Sequence, residues 1–154
     1  MKSYLDTNFL VRLYLPINAD DARGSLLGAE VMKLRPFPVS TLCRFEIRNA
    51  FERMVFESRT GGQGRVTPEG ASAARADFEE DLVKGSLLTP VRLTLEELEP
   101  RFDHLVGRHT AKHGFRTYDL LHVASAIYLG CDTFWSFDAK ALKLAKLEGL
   151  KTDR

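Results

Sequence analysis

The chain is poor in cysteine, in excess charge of either sign and in long apolar runs, and each shortage excludes a class of protein. Its two cysteines, Cys43 and Cys131, sit inside apolar segments. They lack the spacing of a metal knuckle or a disulfide scaffold, so a reduced, cytoplasmic setting is expected. The 22 lysines and arginines nearly cancel 21 aspartates and glutamates, leaving a net charge of +1. Overall charge therefore makes no case for nucleic acid or a membrane surface, and any basic binding face must be local. No apolar stretch approaches the roughly 20 residues of a membrane helix, and Met1-Lys2 leads into a strand pattern without a signal-peptide core. Four of the eleven glycines crowd into "RTGGQGRVTPEG". A phosphate cradle needs Lys and then Ser or Thr after such glycines. Arg65-Val66 stands there instead, and the stretch reads as a flexible surface loop.

What is present is enough for a core: 154 residues, 44% of them hydrophobic, fit one domain spanning 1–154. Short strand signals alternate with helical ones, the pattern of an α/β fold with a mostly parallel sheet. "SYLD" reads as the first strand, and the stretch from Asp21 to Leu34 as an amphipathic helix with Leu26, Leu27, Val31 and Leu34 inward. "RPFPVST" ends it, with a second strand expected from Val39 to Thr41. Cys43, Ile47, Ala50, Phe51 and Met54 form a helix-period stripe from Leu42 to Arg59. Thr67 and Pro68 begin the next helix, which carries Ala74, Phe78 and Leu82. "SLLTPVRLT" reads as a short buried strand. Thr94 and Glu97 then make a capping box for a helix carrying Leu98, Phe102, Leu105 and Val106, closed by Gly114. "TYDLLHVASAIYLG" is apolar nearly all round, a buried helix ended by Gly130. "DTFWS" is the next strand, "FDAKALKLAKLEG" the last helix, and Leu150-Lys151 a short closing strand.

Most acidic residues lie on polar helix faces, where solvation explains them. Four do not. Asp6 ends the first strand, Glu46 borders the Ile47 stripe, Asp119 sits in the first turn of the apolar helix, and Asp138 follows the strand ending at Ser136. In an open parallel sheet these places share one rim, so the four can converge. Each has a plainer role available: a helix-start carboxylate at Asp119, an N-cap at Asp138, a surface ion pair beside Arg48 and Arg53 at Glu46. Asp6 is the hardest to account for in such a way, because a buried anion at a strand end needs a compensating charge. Clustered carboxylates repel unless a cation neutralises them. Oxygen-only ligands suit magnesium or manganese, and such an ion can acidify a coordinated water and stabilise a phosphodiester under attack.

The segments "YLDTNFLVRLYL", "STLCRFEIRNAF" and "TYDLLHVASAIYLGCDTFWSFDAKALKLAKLEGL", in that order and spacing, resemble the PIN-domain ribonucleases, and among them the VapC-type toxins of toxin-antitoxin pairs. The resemblance implies a three-layer α/β/α sandwich and places the family's acidic quartet on Asp6, Glu46, Asp119 and Asp138. It implies Mg2+ or Mn2+, with Asp6 and Asp119 as direct ligands and Glu46 and Asp138 completing the shell. It also implies hydrolysis of RNA to a 5′-phosphate and a 3′-hydroxyl, inhibition by a small antitoxin protein, and a homodimer. Thr7, Asn8 and Ser136 match the family's supporting polar positions.

Arg44, Arg48, Arg53, Arg59, Arg65 and Arg116 are the candidate cations for an RNA face, each also explicable as a solubilising charge. His109 and His113 have metal-capable i,i+4 spacing, but a hydrogen-bonded structural role is favoured for them and for His122. Trp135 is expected in the core rather than as a base-stacking platform. Two other functions fit less well. An aspartyl-nucleophile phosphatase needs a second Asp where Asn8 stands. A catalytically silent module with a PIN-like fold has no need to keep all four acids.

Overall fold

The computed structural model describes residues 2–15, 33, 35–61 and 65–152. The helix expected over Asp21–Leu34 falls almost wholly outside them. Four short strands are described: β1 (Ser3–Leu5), β2 (Phe37–Ser40), β3 (Leu88–Val91) and β4 (Thr133–Trp135). β1 pairs with β4 and β2 with β3, all parallel, and β1 lies beside β2. Lys151 adds a parallel bridge to Thr133, at the place of the expected closing strand. Within the parallel β1–β4 pair the carboxyl ends lie at the same edge, which brings Asp6, after β1, to the side where the segment after β4 carries Asp138.

The helices are α1 (Thr7–Tyr14), α2 (Thr41–Arg59), α3 (Pro68–Lys84), α4 (Leu95–Leu105), α5 (Thr117–Tyr128) and α6 (Ala139–Leu147). Their starts follow the sequence signals. Thr67 caps α3 by accepting from the Gly70 N–H, Thr94 and Glu97 form the full capping box of α4, and Asp138 caps α6. Two boundaries differ, and one strand expected to be buried is only partly so. β2 begins at Phe37, two residues early, because Pro38 tolerates a strand that needs no donor from it. Thr41 belongs to α2, because Ser40 takes the N-cap and accepts from the Cys43 N–H at 3.2 Å. β3 buries only Leu88 fully, with Pro90 exposed. Beyond Leu105, α4 continues through a π-helical turn (Val106–Thr110) and a last turn at Ala111–His113. Gly114, at φ 66, then ends the helix in a left-handed conformation that only glycine adopts cheaply.

The strands separate two apolar clusters, giving three layers. Period-2 alternation sends Leu5 and Trp135 toward the cluster built with Phe9, Ile47, Phe51 and Phe78. It sends Tyr4 and Phe134 toward the other, with Leu98, Leu105, Val123 and Leu144. Tyr4 and Phe134 are register partners and stack at 5.6 Å between ring centroids. Trp135 is thus a core residue, as expected. Among the described residues no helix is long and apolar enough to cross a membrane.

Candidate active site

β1 stops at Leu5 and α1 starts at Thr7, which leaves Asp6 as the N-cap of α1. The Phe9 N–H donates to its Oδ1 at 3.0 Å, and the Asn8 amide donates to its Oδ2 at 3.1 Å. The carboxylate is only 3% exposed. Burial is the main reason its pKa is pushed up to about 6, with Asp138 adding to the rise; His122, Ser136 and the Phe9 N–H act the other way. An anion so placed is under-compensated by the protein.

Asn8 ties the end of β1 to the end of β4. Its Nδ2 also donates to Ser136 Oγ at 3.2 Å, and its Oδ1 accepts the Phe137 N–H at 2.8 Å. Ser136 Oγ accepts the Asp138 N–H at 2.9 Å. Asp138 in turn spends Oδ1 on the Lys140 and Ala141 N–H groups of α6, which leaves Oδ2 on the cleft side. The N-cap bonds thus use one oxygen of Asp138, and the other meets Arg116 in the cleft.

Glu46 does not form the surface ion pair with Arg48 or Arg53. Arg48 is on Glu79 and Arg53 on Glu57. Instead Glu46 Oε2 accepts from Thr7 Oγ1 at 2.6 Å and from His122 Nε2 at 2.6 Å. Behind it, His122 Nδ1 lies 2.9 Å from the Tyr4 hydroxyl. Burial of the imidazole opposes its proton, yet Tyr4, Cys43 and Glu46 together hold its pKa well above the ordinary value. The Glu46 carboxylate faces His122 Nε2 directly, so we assign the proton to that pair. Burial raises the Glu46 pKa, but the His122 and Thr7 bonds outweigh it and leave it lowered.

Asp119 is 7% exposed and closes the first turn of α5. Its Oδ2 accepts the Arg116 backbone N–H and the Arg116 Nε, each at 3.3 Å. The same guanidinium donates through Nη2 to Asp138 Oδ2 at 2.7 Å. Arg116 thus spans two of the four acids.

All four acids line one open cleft of about 410 Å³, together with Arg12, Arg53, Arg116, Tyr118 and His122. Of the candidate cations, Arg53 and Arg116 reach it; Arg44, Arg48, Arg59 and Arg65 are not among its lining residues. Arg12 and Tyr118 were not foreseen. Arg12 stands one helical turn after Asn8, a spacing that shares a face, and its guanidinium lies 4.2 Å from the Phe137 ring centroid. His109 is buried on Glu148 and takes the structural role expected of it.

The donor set fits a hard divalent cation in chemistry: oxygen ligands, and a buried carboxylate short of positive charge. Among the described residues, however, no three of His, Cys, Asp and Glu are arranged closely enough to enclose an ion. Glu46 is engaged by His122, and Asp119 and Asp138 by Arg116. The family model described as PIN domain matches residues 3–147. No curated protein matches the chain.

Proposed function

The chain belongs to the PIN-domain family, typically nucleases, and from that premise we propose that it is a Mg2+- or Mn2+-dependent endoribonuclease of the VapC-like toxin type. The observation that carries this reading is the meeting of Asp6, Glu46, Asp119 and Asp138, from four separated segments, around one cleft that three arginines also line. PIN nucleases generally use divalent metals. Asp6 and Asp119, the two most buried of the acids, are proposed as direct ligands, with Glu46 and Asp138 completing the shell. Bound there, a divalent ion supplies neutralisation of the acids and Lewis acidity toward a phosphodiester.

The chain's own groups supply the rest. Arg12 and Arg53 face the cleft as phosphate-binding cations for an RNA backbone. Thr7 and His122 fix the direction of Glu46. Asn8 and Ser136 hold Asp6 and Asp138 at a set spacing across the β1 and β4 ends, the kind of support that a ligand set needs to stay preorganised. Tyr118, 58% exposed beside Asp119, offers a ring face to an unpaired base.

We further propose that 1–154 is one domain, acting in the cytoplasm as a homodimer and inhibited by a small antitoxin. Support for a protein partner comes from Phe45 and Leu95, which are 64% and 60% exposed and wall an apolar groove. The test is incubation of structured RNA with the protein in EDTA and in Mg2+, with mapping of product ends. Mg2+-dependent cuts leaving 5′-phosphates are expected. Intact RNA under both conditions, with RNA still bound, would point to a silent binding module.

A further inference from the structure

Arg116 bridges two of the proposed ligands in the cleft, and that bridge sets two roles of the guanidinium against each other. Asp138 has a single oxygen not committed to the start of α6, and Arg116 Nη2 is on it at 2.7 Å. Asp119 Oδ2 already accepts from both the Arg116 N–H and its Nε. The two acids that neighbour each other on the α5 and α6 side of the cleft therefore present their oxygens to a cation that the chain itself provides. On the opposite side, Glu46 is balanced by His122. Among the described residues Asp6 is paired to no cation; its Oδ1 and Oδ2 are on the Phe9 N–H and the Asn8 amide.

We propose that Arg116 is a built-in competitor for the divalent cation. In the metal-free protein its guanidinium occupies the positive position between Asp119 and Asp138, and a divalent ion binds only as that guanidinium leaves. Its side chain is 66% exposed, so departure to solvent requires no repacking of the core. Two like charges facing the same carboxylate oxygens repel, and that repulsion is felt as a weaker apparent affinity for the ion. The inference rests on the metal-dependent reading above.

The test is Mn2+ binding to the full chain without RNA, read from free Mn2+ by electron paramagnetic resonance. Wild type is compared with Arg116→Ala, Arg116→Gln, Arg116→Lys and Arg75→Ala. The last removes an exposed charge from α3, away from the cleft, and controls for net charge. Removal of the guanidinium is expected to tighten Mn2+ binding about tenfold at low salt, with the gain shrinking as ionic strength rises. Lys, a point charge that cannot fork across two carboxylates, falls between. Arg75→Ala stays at the wild-type value. Circular dichroism confirms the fold, and Arg116→Gln carries the prediction if Arg116→Ala is unstable. Equal or weaker binding by the Arg116 variants overturns the competitor role, as does equal tightening by Arg75→Ala, while the metal site itself stands. Absence of Mn2+ binding in every protein removes the metal-dependent reading and the competitor with it.

Discussion

His122 Nε2 meets Glu46 Oε2 at 2.6 Å across 76 residues of sequence, so a buried imidazole on α5 decides which way a cleft carboxylate on α2 points. The bond has a defined pH window. His122, with its pKa raised, contributes stability that is full below its ordinary value of 6.5 and is lost as pH rises through the higher folded value. Glu46, with its pKa lowered, contributes stability that is full above 4.5 and is lost as pH falls. The pair is strongest between those values. His122→Ala is expected to cost about 2 kcal/mol, below the usual loss for a fully buried pair because Glu46 is partly exposed. Urea denaturation should show the largest difference from wild type near pH 5–6. A difference independent of pH would assign the cost to packing alone.

Asp6 works against the metal-free fold. Its pKa rises from 3.8 to about 6, so the folded state holds the proton more tightly and stability falls as pH climbs through that interval. The full effect is about 3 kcal/mol above pH 6. Asp6→Asn in EDTA should flatten this slope and raise the melting temperature at pH 7. The gain is reduced because the new amide keeps an acceptor for the Phe9 N–H but not for the Asn8 amide. An unchanged slope between pH 4 and 6 would contradict the burial argument.

Ser136→Ala removes an oxygen, 2% exposed, that serves both Asn8 and the Asp138 N–H. Two polar groups lose a partner, at a cost of about 1–2 kcal/mol. Nuclease turnover should drop more than substrate affinity, since Asp138 loses its anchor and the arginines keep theirs. Affinity falling with turnover unchanged would place Ser136 in substrate contact.

Arg12→Ala should weaken binding of single-stranded RNA in Ca2+ and lower the slope of log affinity against log salt by about 1, the signature of one lost phosphate contact. Loss of the contact with Phe137 also lowers stability, by about 0.5–1 kcal/mol. An unaltered salt slope would remove Arg12 from the RNA face.

Local signals made most of the fold legible. The caps at Thr67, Thr94 and Asp138, the Cys43–Met54 stripe and the closing Gly114 are fixed by neighbours within a few residues, and the structure has them where the sequence puts them. The π-helical turn at Val106–Thr110 was not legible, because its apolar spacing also suits an α-helix. Asp6, Asp119 and Asp138 stand out by their places at strand ends and a first helical turn, which is a rule of parallel sheets rather than of any one residue, and Glu46 by its place on the edge of the Ile47 stripe. Their partners were not found. Glu46 sits among arginines in sequence, yet its bonds come from Thr7 and His122, and no local pattern reports a contact that long. Arg116 beside Asp119 was visible as a neighbour, but its reach to Asp138 depends on how α5 and α6 pack. Arg12 was overlooked although its spacing from Asn8 points to the same face.

Cleavage of one structured RNA at fixed Mg2+ by wild type, Asp6→Asn, Glu46→Gln, Asp119→Asn and Asp138→Asn tests the central claim most directly. A single metal-dependent site predicts turnover lost at least about 100-fold in each variant, with folding intact and wild type silent in EDTA. Cleavage that persists in EDTA, or that the four variants retain at the wild-type rate, would contradict it.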